Sequence, residues 1–209
     1  TYIFVDEKTD LASNGNFVFA FANWPDMHTQ ANGNMFLSVK NQRYAISPNN
    51  WTSENGIQQG SAIAKGEWKH IAYTQEGTAG KLYVNGTQIA SGTVNMTPSQ
   101  LGQTPYNYIG RSCYAGDLYL KNTMMTDFRM YNNALSATEI SDLAANLSDI
   151  EEAYKTYEIE EAKTTLIINN GEEIVEQNLI LPTTIGNSVA ITWDSSDEAY
   201  SSNSGQVTR

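Results

Sequence analysis

The chain has 209 residues, 40% of them apolar and 17% charged, and a formal net charge of −11. That is apolar enough for a buried core and too apolar for disorder, no run approaches the roughly 18 apolar residues of a membrane span, and the acidic balance excludes charge-driven binding to a nucleic-acid backbone. The single Cys113 excludes an intrachain disulfide framework and a cysteine-based zinc site, and two histidines, His28 and His70, exclude a multi-histidine metal centre within the chain.

From residue 1 to residue 131 the pattern is one of short β-like runs separated by turn signals. Strands are predicted at residues 2–6, 17–22, 35–39, 43–47, 68–75, 81–84, 87–91, 106–110, 118–121 and 126–131. The sharpest local signal is Asn85-Gly86, two residues tolerant of positive φ, which a type I′ hairpin requires. Leu82 and Val84 alternate with Lys81 and Tyr83, as in a half-buried strand. So many short strands with almost no helix predict an all-β fold, an antiparallel two-sheet sandwich, with Trp68, Ile71, Leu82, Val84, Ile109, Phe128 and Met130 in its core.

Helix is predicted only after Ala134. Ser136 and Glu139 have capping-box spacing, followed by Ile140, Leu143 and Leu147 at helical intervals, so a helix is placed at 137–146 with Ile140 and Leu143 on the sandwich. A second, solvent-exposed helix is placed at 150–162. Residues 149–176 carry a net −7 against −2 for residues 1–148, which marks a change of region. Strands return at 164–168, 178–181 and 188–193, punctuated by Gly171, Pro182 and Gly186.

Two stretches carry a family resemblance. One is GEWKHIAYTQEG from Gly66 followed by GKLYVNG from Gly80. The other is YIGRSCYAGD from Tyr108 to Asp117, followed by DFRMYNNALSATEI from Asp127. Their order and spacing resemble the laminin G-like domain, a concanavalin A-type jelly roll of bacterial secreted proteins, over residues 1–147. A third stretch, NLILP from Asn178, ITWDSSD from Ile191 and GQVT from Gly205, resembles part of an atrophied bacterial Ig-like domain over 164–209. Residues 148–163 then form an acidic helical linker. The resemblance implies a non-catalytic accessory region of an exported bacterial glycoside hydrolase of the arabinofuranosidase type, acting on arabinose-containing plant polysaccharide. Its partners would be a poly- or oligosaccharide and the parent chain's catalytic domain. A purely structural or protein-interaction module of a bacterial surface protein is the alternative.

The residues offer candidates for such a role. Trp24, Trp51, Tyr106, Tyr108, Tyr114 and Tyr119 lie in or beside loops and strand ends, where flat rings can stack on sugar faces or fill a sandwich core. Arg111 and Asp117 flank a Tyr-Ala-Gly turn and either pair with each other or offer a donor fork and an acceptor to hydroxyls. The carbohydrate-binding set is therefore Trp24, Tyr106, Tyr108, Arg111, Tyr114, Asp117 and Tyr119. The resemblance also implies one structural calcium ion, with Asp127 as the residue carried over as a ligand. No cofactor is required. No nucleophile signature surrounds His28 or His70, and no catalytic residue is assigned. Thr1 opens directly on an alternating run, so the chain is expected to be a piece of a longer protein. The laminin G-like sandwich is then expected to lack N-terminal strands, leaving an apolar sheet edge that another chain or segment pairs with.

Overall fold

A computed structural model describes residues 1–24, 33–168, 177–185 and 189–208. Residues 1–148 and 149–209 are two compact units, and each is described by itself. His28 lies outside the described residues.

The first unit is a two-sheet antiparallel sandwich. Among the described residues its ten strands are β1 (Tyr2–Val5), β2 (Phe17–Ala22), β3 (Asn34–Ser38), β4 (Arg43–Ser47), β5 (Asn55–Gln58), β6 (Trp68–Glu76), β7 (Ala79–Val84), β8 (Thr87–Thr93), β9 (Tyr106–Ile109) and β10 (Thr123–Thr126). The first sheet runs β10-β1-β6-β7-β8 and the second β5-β4-β3-β2-β9. Between them lies a core of aliphatic side chains, including Ile3, Val18, Leu37, Ile46, Ile71 and Leu82. Tyr44 and Tyr73 stack across the middle with centroids 3.6 Å apart. Burying each large side chain contributes about 1.5–3 kcal/mol.

The two sides of the sandwich differ. β5 packs against β7 and β8 and closes one side. On the other, β9 and β10 end their sheets. There the chain leaving β10 brings Phe128 edge-on to Phe19 of β2, 6.0 Å away. Ile109, Phe128 and Met130 are 50%, 38% and 62% exposed. The expectation that these three sit in the core is therefore wrong: they have the right alternation, but they line the less covered side. The strand placed at 126–131 ends at Thr126, because Asp127 adopts a φ of 55° that no extended strand continues. Residues 118–121 form no strand either. Leu118 makes a single parallel bridge to Gly15, and Leu120 N–H donates to the Gly110 carbonyl at 2.9 Å. β5 has no counterpart among the predicted strands.

Asn85 and Gly86 turn β7 into β8 at φ of 49° and 78°. Asn85 also ties the hairpin to β6: its N–H donates to the His70 carbonyl at 2.8 Å, and its Oδ1 accepts from His70 N–H at 2.9 Å. Helix α1 (Ala137–Ala144) starts at the Ser136–Glu139 capping box and buries Ile140 and Ala144. It lies over the outer face of the first sheet, where Tyr2 Oη donates to the Leu143 carbonyl. A Cβ on Gly86 would stand 3.2 Å from Ser141 Cα, which shows how closely helix and hairpin approach. Leu82 is fully buried and Val84 half-buried, but Tyr83, read as outward, is 2% exposed, because its outward face is the face α1 covers.

Helix α2 (Leu147–Thr165) is exposed along most of its length. It runs through the first residues of the strand placed at 164–168, which does not form. In the second unit β11 (Thr184–Ile185) pairs with β12 (Val189–Ala190), and Ser201 bridges Val207. Residues 178–181 form no regular strand, and that placed at 188–193 is reduced to β12, with residue 188 outside the described set. Among the described residues no helix is long and apolar enough to cross a membrane.

Candidate functional site

The inner face of the second sheet belongs to the core, so its outer face has to be explained separately. Cross-strand register aligns Gly56 of β5, Ala45 of β4, Phe36 of β3, Ala20 of β2 and Tyr108 of β9 in one row on that face. Three of the five have little or no side chain, which lets the loop of Cys113 and Tyr114 settle on the face, so that Ala45, Phe36 and Ala20 are 0%, 2% and 0% exposed. A Cβ on Gly56 would sit 2.1 Å from the Tyr44 carbonyl oxygen, so no larger residue fits. Phe17 and Phe36 stack beside the row at 4.0 Å and 5°, and Cys113, Tyr108 and Tyr114 pack onto the same cluster.

Beside this covered row, reaching Phe17 and Phe36, opens a cleft of about 450 Å³. One wall is Trp51, 51% exposed, on a 3-10 turn (Trp51–Ser53) in which Thr52 N–H donates to Asn50 Oδ1 at 3.0 Å. Next to it Arg43 Nη1 meets Glu54 Oε2 at 2.7 Å. Tyr114 Oη donates to Glu54 Oε1 at 3.2 Å and accepts from the buried Asn34 amide at 2.8 Å. The guanidinium of Arg43 also lies 5.4 Å from the Phe36 ring centre. Each member of this chain fixes its neighbour, which preorganises the wall. At the other end Lys40 Nζ donates to Asn14 Oδ1 at 2.9 Å, and Ser112 Oγ donates to Asp117 at 2.6 Å while accepting from Tyr114 N–H at 2.9 Å. Burial raises the Asp117 carboxyl above its ordinary range, against the Ser112 bond and the Lys40 charge. Burial also raises the Tyr114 phenol and pushes the Cys113 thiol up to about 12. The lining thus combines one exposed indole face with two cations, two carboxylates and neutral amides. Such a surface can stack a flat apolar face and hydrogen-bond the polar groups around its rim.

Of the residues expected to bind carbohydrate, Tyr114 and Asp117 line this cleft. Tyr108, Arg111 and Tyr119 form a stack of their own beside it, with the guanidinium carbon 4.3 Å from the Tyr108 ring centre and 5.5 Å from that of Tyr119. Arg111 and Asp117 do not pair: Asp117 is held by Ser112 and acted on by Lys40, and Arg111 by the two rings. Tyr106 is half-buried on β9, and Trp24 is 44% exposed just beyond β2; neither lines the cleft. Trp51 stood among the aromatics in the sequence but outside the carbohydrate-binding set, and Asn14, Lys40, Arg43 and Glu54 carried no signal; strand register alone gathers them. Asp127 makes an ion pair with Arg129 Nε at 2.5 Å. Among the described residues no three histidine, cysteine or acidic side chains gather in a way that could hold a metal ion.

The family model of the concanavalin A-like lectin/glucanase superfamily matches residues 9–141, more than half of the chain, and that of the atrophied bacterial Ig domain matches residues 159–209. No curated protein matches the chain. Among solved structures, an S-layer domain-containing protein from Clostridium thermocellum (residues 221–444) is 31% identical, with 68% of this chain covering 66% of that one at a TM-score of 0.36. Domain 4 of AbnA, a GH43 extracellular arabinanase from Geobacillus stearothermophilus solved with arabinotriose, is 20% identical, with 68% of this chain covering 64% of that one at a TM-score of 0.53. The chain thus spans about two thirds of the length of each.

Proposed function

The chain belongs to the concanavalin A-like lectin/glucanase superfamily, and from that premise we propose that its sandwich is a non-catalytic, carbohydrate-binding accessory domain of an exported bacterial glycoside hydrolase that acts on arabinose-containing polysaccharide. The observation that carries the reading is the cleft. Trp51 offers a flat ring to solvent at the edge of a shallow floor, and the Arg43–Glu54–Tyr114 network beside it supplies fixed donors and acceptors. Sugars present an apolar ring face and a rim of hydroxyls, which such a site matches without any metal or cofactor. Both carboxylates of the cleft are engaged, Glu54 by Arg43 and Tyr114 and Asp117 by Ser112, which supports a binding rather than a hydrolytic role. In this reading the Ig-like region is a spacer, and the catalytic domain belongs to the parent polypeptide. The arabinanase domain of the same fold, solved with arabinotriose, supplies the first ligand to try.

The test is calorimetric titration of the chain with arabinotriose, together with affinity gels containing arabinan, arabinoxylan and pectic side chains. Binding is expected for at least one arabinose-containing ligand, weakened at least tenfold, about 1.4 kcal/mol, in Trp51→Ala. No retardation by any of the three polysaccharides would turn the assignment towards a structural or protein-interaction module.

A further inference from the structure

In the first sheet β6 outruns its neighbour on one side. It is nine residues long, Trp68–Glu76, and on the β7 side it is paired from Ile71 to Glu76. On the other side β1 pairs with Trp68, Lys69 and His70. That ladder closes at Ile71, whose N–H donates to the Thr1 carbonyl at 2.9 Å and whose carbonyl accepts from the Thr1 amine at 3.2 Å. β10, the next strand, stops at Thr126 opposite Tyr2. The β1 lane nevertheless continues, as a cavity of about 420 Å³ that has Ala72, Tyr73, Thr74 and Gln75 of β6 on one bank and the chain leaving β10 on the other.

The banks of this slot carry main-chain groups in strand order. His70 turns its carbonyl to Asn85 on the β7 side, and Ile71 turns its own groups to Thr1 on the β1 side. Alternation then aims the N–H and C=O of Tyr73 and Gln75 into the slot. Among the described residues neither meets a backbone partner there, and none meets the backbone of residues 128–131 on the opposite bank. The two faces of the slot are apolar: Val18, Leu37 and Tyr44 belong to the core, and Ile140 and Leu143 come from α1 on the outer side. One ligand chemistry suits both features. An extended peptide pairs through its backbone and buries side chains on both faces, whereas sugar hydroxyls would meet apolar walls and a lipid tail would leave the amides unpaired.

We propose that the slot accepts one more strand of the parent polypeptide, a run of about four mainly apolar residues in line with β1 and antiparallel to β6, whose length matches Ala72 to Gln75. Continuity with an existing interface decides the source. The slot is the β1 lane itself, so a strand there meets β1 end to end and takes the register that Tyr2 already keeps with His70 and Thr126. Its side chains opposite Tyr73 and Gln75 face the core, and those opposite Ala72 and Thr74 face α1.

Amide hydrogen exchange followed by NMR tests it. In the 209-residue chain the amides of Tyr73 and Gln75 are expected to exchange at least a hundredfold faster than those of Ala72 and Thr74, which face β7. Placing Val-Thr-Ile-Val directly ahead of Thr1 is expected to slow Tyr73 and Gln75 at least a hundredfold relative to a Gly-Ser-Gly-Ser extension, and to raise the urea midpoint. Slow exchange of the two amides in the unextended chain, or no slowing by the apolar extension, overturns the proposal. The same four residues added as a free, acetylated peptide test the source: protection by the free peptide and not by the extension gives the slot to a strand of another chain and overturns the commitment to the parent polypeptide.

Discussion

The sandwich has two outer faces, and they are built for opposite ends. On the first sheet the outward residues include Tyr2, His70 and Tyr83, large rings that are 2%, 3% and 2% exposed beneath α1. On the second sheet the corresponding row is Gly56, Ala45, Phe36, Ala20 and Tyr108, covered by the loop of Cys113 and Tyr114 instead of a helix, with the cleft beside it at Phe36. Both outer faces are therefore covered, one by a helix and the other by a short loop, and large rings lie under the helix where small residues lie under the loop.

The largest expected effect lies under α1. Tyr83→Ala should lose about 3–5 kcal/mol of stability, read as a shift in the urea midpoint at constant slope. A loss under 1 kcal/mol would mean that α1 does not seal that face. His70 gives a second, pH-dependent probe. Burial, followed by the charge of the chain's terminal ammonium, lowers its imidazole from 6.5 to about 4. Its Nδ1 has no hydrogen-bond partner among the described residues, as suits a neutral ring. The folded state thus disfavours the proton. The contribution is complete above pH 6.5 and is lost as pH falls towards 4, amounting to roughly 3 kcal/mol. Unfolding of the wild type and of His70→Gln at pH 7 and pH 4 should show a steeper loss in the wild type, and equal losses would remove His70 as the cause. The smallest effect belongs to the wall of the cleft. Trp51→Ala should move stability by no more than about 0.5 kcal/mol, since the ring is half exposed, and thermal melting checks this. A large drop would make Trp51 a packing residue and weaken its assignment to binding.

What could be read in advance divides along chemical lines. Asn85-Gly86 and Ser136–Glu139 act through their own backbone neighbourhoods, so the hairpin and the start of α1 stand where local chemistry puts them. Alternation located the strands of the core but not which side of the sandwich is sealed. Ile109, Phe128 and Met130 look apolar and alternate correctly, yet face the side where the two sheets end. β5 escaped because Asn55-Gly56-Ile57-Gln58 holds one apolar residue, its Gly56 being required by the Tyr44 carbonyl rather than by any pattern. The run from Thr164 to Ile168 reads as strand through its β-branched residues, but α2 continues to Thr165. For the cleft, the loop bearing Tyr114 and Asp117 was legible as a motif. Arg43, Glu54 and Lys40 were not, since only the pairing of β4 with β3 and β5 brings them to that loop.

Cys113 has a further bearing on the cleft. The thiol is 2% exposed, packed with Phe17, Ala20 and Phe36 beneath the loop that carries Tyr114 and Asp117. With its acidity displaced to about 12, almost none of it is thiolate at neutral pH, so oxidants and alkylating reagents find neither access nor a nucleophile. It is also the chain's one sulfhydryl. Any covalent tagging of the protein at cysteine therefore dates an excursion in which the floor of the cleft comes apart, and a ligand that clamps the floor lengthens the wait.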